Sequence, residues 1–222
     1  MISDKIGGLN KIIIVCGHYG SGKTNIAVNL AYAIRKSGKK TVLADLDIVN
    51  PYFRAADNRE FLEEAGVRCL IPMYANSNVD IPCLPPEIYS VFSGDEYAIL
   101  DVGGDKEGAT ALGIYREEIL RCGYSMLGVC NMYRPLTSIP EDAIDNLAQI
   151  EAHCSIPFTH IVNNSNLADL TTEKTVYDSF EYAETICKKS GLPLLFTSVC
   201  DDVPLMSEEG IFRIKNITKR LY

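Results

Sequence analysis

The feature that most limits what this 222-residue chain can fold into is the loop Gly17-His18-Tyr19-Gly20-Ser21-Gly22-Lys23-Thr24, directly after the apolar run Lys11–Cys16. It fits the pattern G-x-x-x-x-G-K-[ST], which belongs between a strand and a helix. The glycines let successive backbone N–H groups turn inward as an anion nest, and the helix N-terminus that follows adds a favourable dipole. In such a loop Lys23 would neutralise the β- and γ-phosphates of a nucleotide, and the Thr24 hydroxyl would ligate Mg²⁺. The eight loop residues and Asn25 are therefore the expected nucleotide-binding residues.

The flanking pattern agrees. Asn25–Lys36 carries apolar residues at helical spacing and ends at Ser37-Gly38, with Arg35 and Lys36 placed to offset the helix dipole. Lys40–Asp47 reads as a buried strand and Tyr52–Ala65 as a helix stopped by Gly66. Arg68–Ile71 is a short predicted strand. Pro72–Pro86 is too rich in proline for a long helix and reads as a surface loop on the nucleotide side, with one or two helical turns over Glu87–Phe92. Beyond it, strands are expected at Glu96–Asp101, Ser125–Cys130, Pro157–Val162 and Leu194–Ser198. Helices are expected at Ala109–Arg121, Pro140–Ala152, Thr172–Lys189 and Ser207–Arg220. The alternation predicts a single α/β domain over residues 1–222, three-layered and doubly wound, with a mainly parallel sheet of about seven strands.

Ligands of such a sheet collect beyond the carboxyl ends of its strands, so the residues there matter most. Asp45-Leu46-Asp47 leaves the second strand, and two residues' separation sends both carboxylates to one side. Asp45 suits the metal side of a Mg²⁺-triphosphate site, and Asp47 the orientation of an attacking water. Ile99-Leu100-Asp101-Val102-Gly103-Gly104 is an apolar strand ending in aspartate and glycines. Asp101 is expected to act on Mg²⁺ through water, and Gly104 to present its N–H to the γ-phosphate, making 103–108 a switch. Asn163 and Asn164, leaving a later strand, either read a purine edge or simply make a turn. Asp201, within Val199–Pro204, lies where a loop could close over the base.

Composition excludes other classes. A net charge of −8 gives no global attraction to nucleic acid or anionic lipid. No apolar run approaches the ~20 residues that span a bilayer, and Met1–Asn10 lacks the pattern of a signal peptide. The eight cysteines are scattered without a C-x-x-C pair, which suits buried thiols in a reducing compartment. A cytoplasmic protein with no membrane or nucleic-acid partner is expected.

Together these residues resemble the MinD/ParA/CobQ-type ATPases of the SIMIBI division of phosphate-loop NTPases. The likeness rests on the phosphate loop, Asp45-Leu-Asp47, Asp101-Val-Gly-Gly104, Asn163-Asn164 and the segment Val199–Gly210. It implies ATP and ADP rather than guanine nucleotides, since Asn-Lys-x-Asp is not present at Asn163–Asn166. It implies Mg²⁺, hydrolysis assisted by Asp47, Lys23 on the phosphates, and a possible face-to-face homodimer. One position departs: where the group carries a signature lysine, this chain has His18. Arg54 or Arg134 could supply the missing charge, or be ordinary surface arginines. Gly108 stands where iron–sulfur relatives have a cysteine, so no cluster is expected. Three functions stay open: a slow ATPase switch acting on a partner protein, an ATP-dependent small-molecule kinase, synthetase or amide ligase acting on a metabolite, and a binding module without turnover.

Overall fold

Ile12–Cys16 (β1) is buried at every position, as a strand covered on both faces must be. In the computed structural model, which describes residues 2–47, 59–70 and 86–217, it lies at the centre of the sheet. Parallel neighbours flank it, Tyr97–Asp101 (β4) on one side and Tyr124–Cys130 (β5) on the other. Thr41–Asp45 (β2) pairs with β4, and Arg68–Leu70 (β3) closes that edge. His160–Asn163 (β6), Leu194–Cys200 (β7) and Ile211–Ile214 (β8) extend the other side. The order is β3-β2-β4-β1-β5-β6-β7-β8, and every pairing is parallel.

The alternation of side chains along each strand divides the interior into two cores. Ile12, Ile14 and Cys16 face one, with Val42, Leu100 and Met126, and Ile13 and Val15 face the other, with Leu43, Ile99 and Leu127. Lys23–Lys36 (α2) covers the second face through Ile26, Leu30 and Ile34, together with Ile2–Gly7 (α1) and Arg59–Glu64 (α3). The first face is covered by Lys106–Gly113 (α4), Arg116–Cys122 (α5), Pro140–Cys154 (α6) and Glu173–Ser190 (α7). Thr172 caps α7 with a reciprocal Thr172–Thr175 capping box, and Gly191 ends it in the left-handed region.

Three expectations change. The sheet has eight strands, not seven, because Ile211–Ile214 is a strand where a closing helix over Ser207–Arg220 was expected. Gly210 (φ +71°) interrupts any helix there. The run Ile-Phe-Arg-Ile then pairs with β7, placing Phe212 on Phe196 with ring centroids 4.8 Å apart. The helix expected at Ala109–Arg121 is two helices, parted after Gly113. Tyr115, at the break, is buried and stacks on Phe92. The N-terminal helix α1 was not anticipated. The expected loop 72–85 and the first part of the helix expected at Tyr52–Ala65 lie outside the described residues, while Pro86–Phe92 forms the short 3₁₀ helix anticipated there.

Because Leu30 is fully buried between α2 and the sheet, Leu30→Ala removes apolar contact and leaves a cavity. The expected loss is about 2–5 kcal/mol of unfolding free energy, measured by urea denaturation followed by circular dichroism.

Candidate functional site

The phosphate loop spans from the end of β1 to the start of α2. Gly20 (φ +77°) and Gly22 (φ +87°) adopt backbone conformations that other residues rarely reach, and the Ser21 N–H donates to the His18 carbonyl at 3.0 Å. Gly22 is the N-cap of α2 and leaves no room for a Cβ, which would collide with the Asn164 amide nitrogen.

Three strand ends converge beside this loop. The Lys23 ammonium, buried, lies 3.4 Å from Asp47 Oδ2, itself buried. Burial disfavours the Lys23 charge, but Asp101 and Asp47 outweigh it and hold the ammonium above its usual pKa. Burial pushes the Asp101 carboxyl up to about 6, opposed by Lys23 and a hydrogen bond from Thr24. Asp101 Oδ1 is fully buried and has no partner among the described residues. Asp45 Oδ1 accepts the Asp47 N–H at 2.9 Å and so fixes the turn that carries Asp47.

The donor set therefore fits a magnesium ion through Thr24 and Asp101. Among the described residues no three His, Cys, Asp or Glu side chains gather closely enough to hold an ion alone.

The glycines after β4 press on the phosphate loop. A Cβ on Gly104 would collide with the Gly17 carbonyl and the His18–Tyr19 backbone, and one on Gly108 with Gly103. Asp105 caps α4 by accepting the Gly108 N–H at 2.8 Å. A Cβ on Gly103 would stand 3.3 Å from Asp47 Oδ1. The 103–108 segment thus touches both the loop and the acid of the Lys23 pair.

A cleft of about 410 Å³ opens over the loop, lined by Tyr19, Lys23, Thr24, Asn25, Asp47 and Arg134. His18 does not line it; its Nδ1 meets the Tyr19 carbonyl at 2.8 Å. The far end is bounded by residues after β6, β7 and β8.

At that end the asparagines make internal bonds. Asn163 is fully buried away from the cleft, its amide donating to Ser179 Oγ at 2.8 Å and its Oδ1 accepting the Ser165 N–H. It cannot touch a base in this conformation. Asn164 lines the cleft, but as a strut: it donates to the Ser21 carbonyl at 2.6 Å and accepts from Ser198 Oγ at 2.6 Å. Asn163 Oδ1 on the Ser165 N–H and Asn166 Oδ1 on the Ala168 N–H each close a turn after β6. Asp202 rather than Asp201 lines the cleft, where Asp201 donates its N–H to the Ile214 carbonyl.

Ile214 and Asn216 line it too, and sequence reasoning missed both because it placed them in a helix. Arg54 lies outside the described residues. Gly104→Ala should force the switch segment off the phosphate loop. The expected cost is about 1–3 kcal/mol, read as a melting temperature several degrees lower.

The profile of the CobQ/CobB/MinD/ParA nucleotide-binding domain matches residues 12–210. No curated protein sequence matches the chain. Among solved structures, the signal recognition particle receptor FtsY of Elizabethkingia anophelis in complex with GDP has a TM-score of 0.53 at 19% identity, covering 89% of this chain and 63% of that one. The cell division protein FtsY of Thermotoga maritima reaches 0.54 at 18% identity, with 89% and 67% covered. A nucleotide-binding protein of Archaeoglobus fulgidus in complex with ADP reaches 0.52 at 12% identity, with 97% and 85% covered. This chain thus spans less than two thirds of the Elizabethkingia receptor's length, and at these identities the likeness is one of fold.

Proposed function

The chain belongs to the CobQ/CobB/MinD/ParA nucleotide-binding family, and on that footing we propose that it is a Mg²⁺-dependent ATP-binding switch that hydrolyses ATP slowly and acts on a partner protein. The observation that carries this reading is the cluster at the three strand ends: Lys23 paired with Asp47, and Asp101 buried with an unpartnered oxygen beside Thr24. A triphosphate arriving in the cleft competes with Asp47 for the Lys23 ammonium. Asp47, released from Lys23 and still held by Asp45, is then available to orient a water toward the γ-phosphorus. Attack breaks the bond from that phosphorus to the β–γ bridging oxygen and yields ADP and inorganic phosphate. Mg²⁺ held by Thr24 and Asp101 would neutralise charge on the phosphate oxygens.

The switch follows from the same contacts. Gly104 sits against the phosphate loop and Gly103 next to Asp47, so displacing Asp47 from Lys23 would act on the segment 103–108. Adenine over guanine is favoured by the lack of Asn-Lys-x-Asp at Asn163–Asn166, whose amides are spent in the turn and the strut. No helix among the described residues is long and apolar enough to cross a membrane.

Turnover of ATP by the purified protein, with Mg²⁺ and with EDTA, tests the reading. Wild type is expected to hydrolyse ATP only with Mg²⁺, and Lys23→Ala to lose nucleotide binding. Equal turnover by wild type and Lys23→Ala overturns it. Asp47→Asn should retain binding while slowing hydrolysis about 10²-fold or more, a loss typical of removing a group that positions the nucleophile. Binding with no turnover in any condition would instead identify a module without hydrolysis. Release of ADP stimulated by a metabolite would identify a ligase or kinase.

A further inference from the structure

The loop that leaves β5 carries a second cation to the phosphate loop. Arg134 has an extended backbone (φ −109°, ψ 132°) at the start of the short 3₁₀ helix Pro135–Thr137. Its N–H donates to the Asn131 carbonyl at 3.2 Å, and its own carbonyl accepts the Thr137 N–H at 3.0 Å. Helix α7 holds the same loop from behind. The Tyr133 hydroxyl donates to the Thr175 carbonyl at 2.9 Å, and the Tyr182 hydroxyl to the Thr137 carbonyl at 2.6 Å. The backbone that presents Arg134 is therefore preorganised, and only its side chain is free to adjust.

That side chain lies over the loop. Its Nε and Cζ stand 3.5 and 3.7 Å from where a Cβ on Gly20 would be, and the residue lines the cleft. It is exposed, and no carboxylate among the described residues pairs with it. Arg68 and Arg213, by contrast, are tied to Glu96 and Glu208. Lys23 shares its charge with Asp47 and Asp101, and the His18 ring is turned to the Tyr19 carbonyl. A polyphosphate carries more negative charge than Lys23 alone can balance. The planar guanidinium fork suits phosphate oxygens geometrically as well as electrically.

We propose that Arg134 is a phosphate-binding residue of this site, donating from the same chain to the polyphosphate of the nucleotide held by the loop at Gly20. The assignment rests on the nucleotide-binding reading above and adds to it a positive charge that comes from β5 rather than from a second subunit.

Binding of fluorescent N-methylanthraniloyl ADP and GDP, with Mg²⁺ and at two salt concentrations, tests it on wild type, Arg134→Ala, Arg134→Lys and Arg121→Ala. Arg121 is an exposed arginine at the far end of α5, before β5 begins, and controls for the loss of one charge. Arg134→Ala is expected to weaken the tighter of the two diphosphates by about 10- to 100-fold, the range of a lost charge-assisted hydrogen bond. Its salt dependence should flatten, while the melting temperature without nucleotide stays unchanged. Arg134→Lys should recover part of the loss, and Arg121→Ala should stay within about twofold of wild type, as a distant screened charge does. Wild-type affinity in Arg134→Ala overturns the assignment alone, as does an equal loss for the unphosphorylated nucleoside. If wild type binds neither diphosphate, the nucleotide reading fails and the assignment falls with it.

Discussion

A charged lysine at 8% exposure is the constraint around which this protein is arranged. An unpaired buried ammonium would cost several kcal/mol, so acids must meet it. The parallel sheet supplies them by register. Val15 stands opposite Asp101 and Asp45 opposite Asp101, so the ends of β1, β2 and β4 reach one level. Asp45 then fixes the turn that delivers Asp47 to Lys23. Breaking such a pair from one side leaves a stranded buried charge. The pair is thus a structural necessity, and in the proposed function it is where a nucleotide phosphate would exchange with a carboxylate.

Close backbone approach is the second constraint. Gly22 gives way to Asn164, and Gly104 to the Gly17–Tyr19 backbone. Asn164 ties the loop to β7 through Ser198, and so links the phosphate end of the cleft to the far end. The C-terminal strand joins the same frame. Asn29 of α2 exchanges two hydrogen bonds with the Lys215 backbone, and the Asn25 side chain accepts the Ile217 N–H. The helix that follows the phosphate loop is therefore latched to the chain's last described segment.

Much of this was legible in one dimension because it rests on local rules. Apolar runs ending in Asp45, Asp47, Asp101 and Gly104 announce buried parallel strands and what they carry to the sheet's edge. The last strand was not legible, because Ile-Phe-Arg-Ile is too short to choose between periods without knowing that β7 offers an open edge. Asn163 and Asn164 were read as either reading a base edge or making a turn, and packing gave each its own place. One turned under α7 to Ser179, and its neighbour turned into the cleft as a strut. Asp201 and Asp202 differ by one residue, and only the turn after β7 decides which faces the cleft.

The sequence by itself determined the glycine-rich loop with Lys23, the acids at the strand ends and the α/β frame. Glycine spacing and strand-end carboxylates are chemical requirements that hold wherever the chain places them. Tertiary structure alone decided which groups share a cavity. Arg134 is 114 residues from Gly20 in the chain, and only the pairing of β1 with β5 sets it over the loop. Spacing within a motif is local, but proximity between strand ends depends on sheet order. Sheet order is chosen by how two cores close over both faces at once.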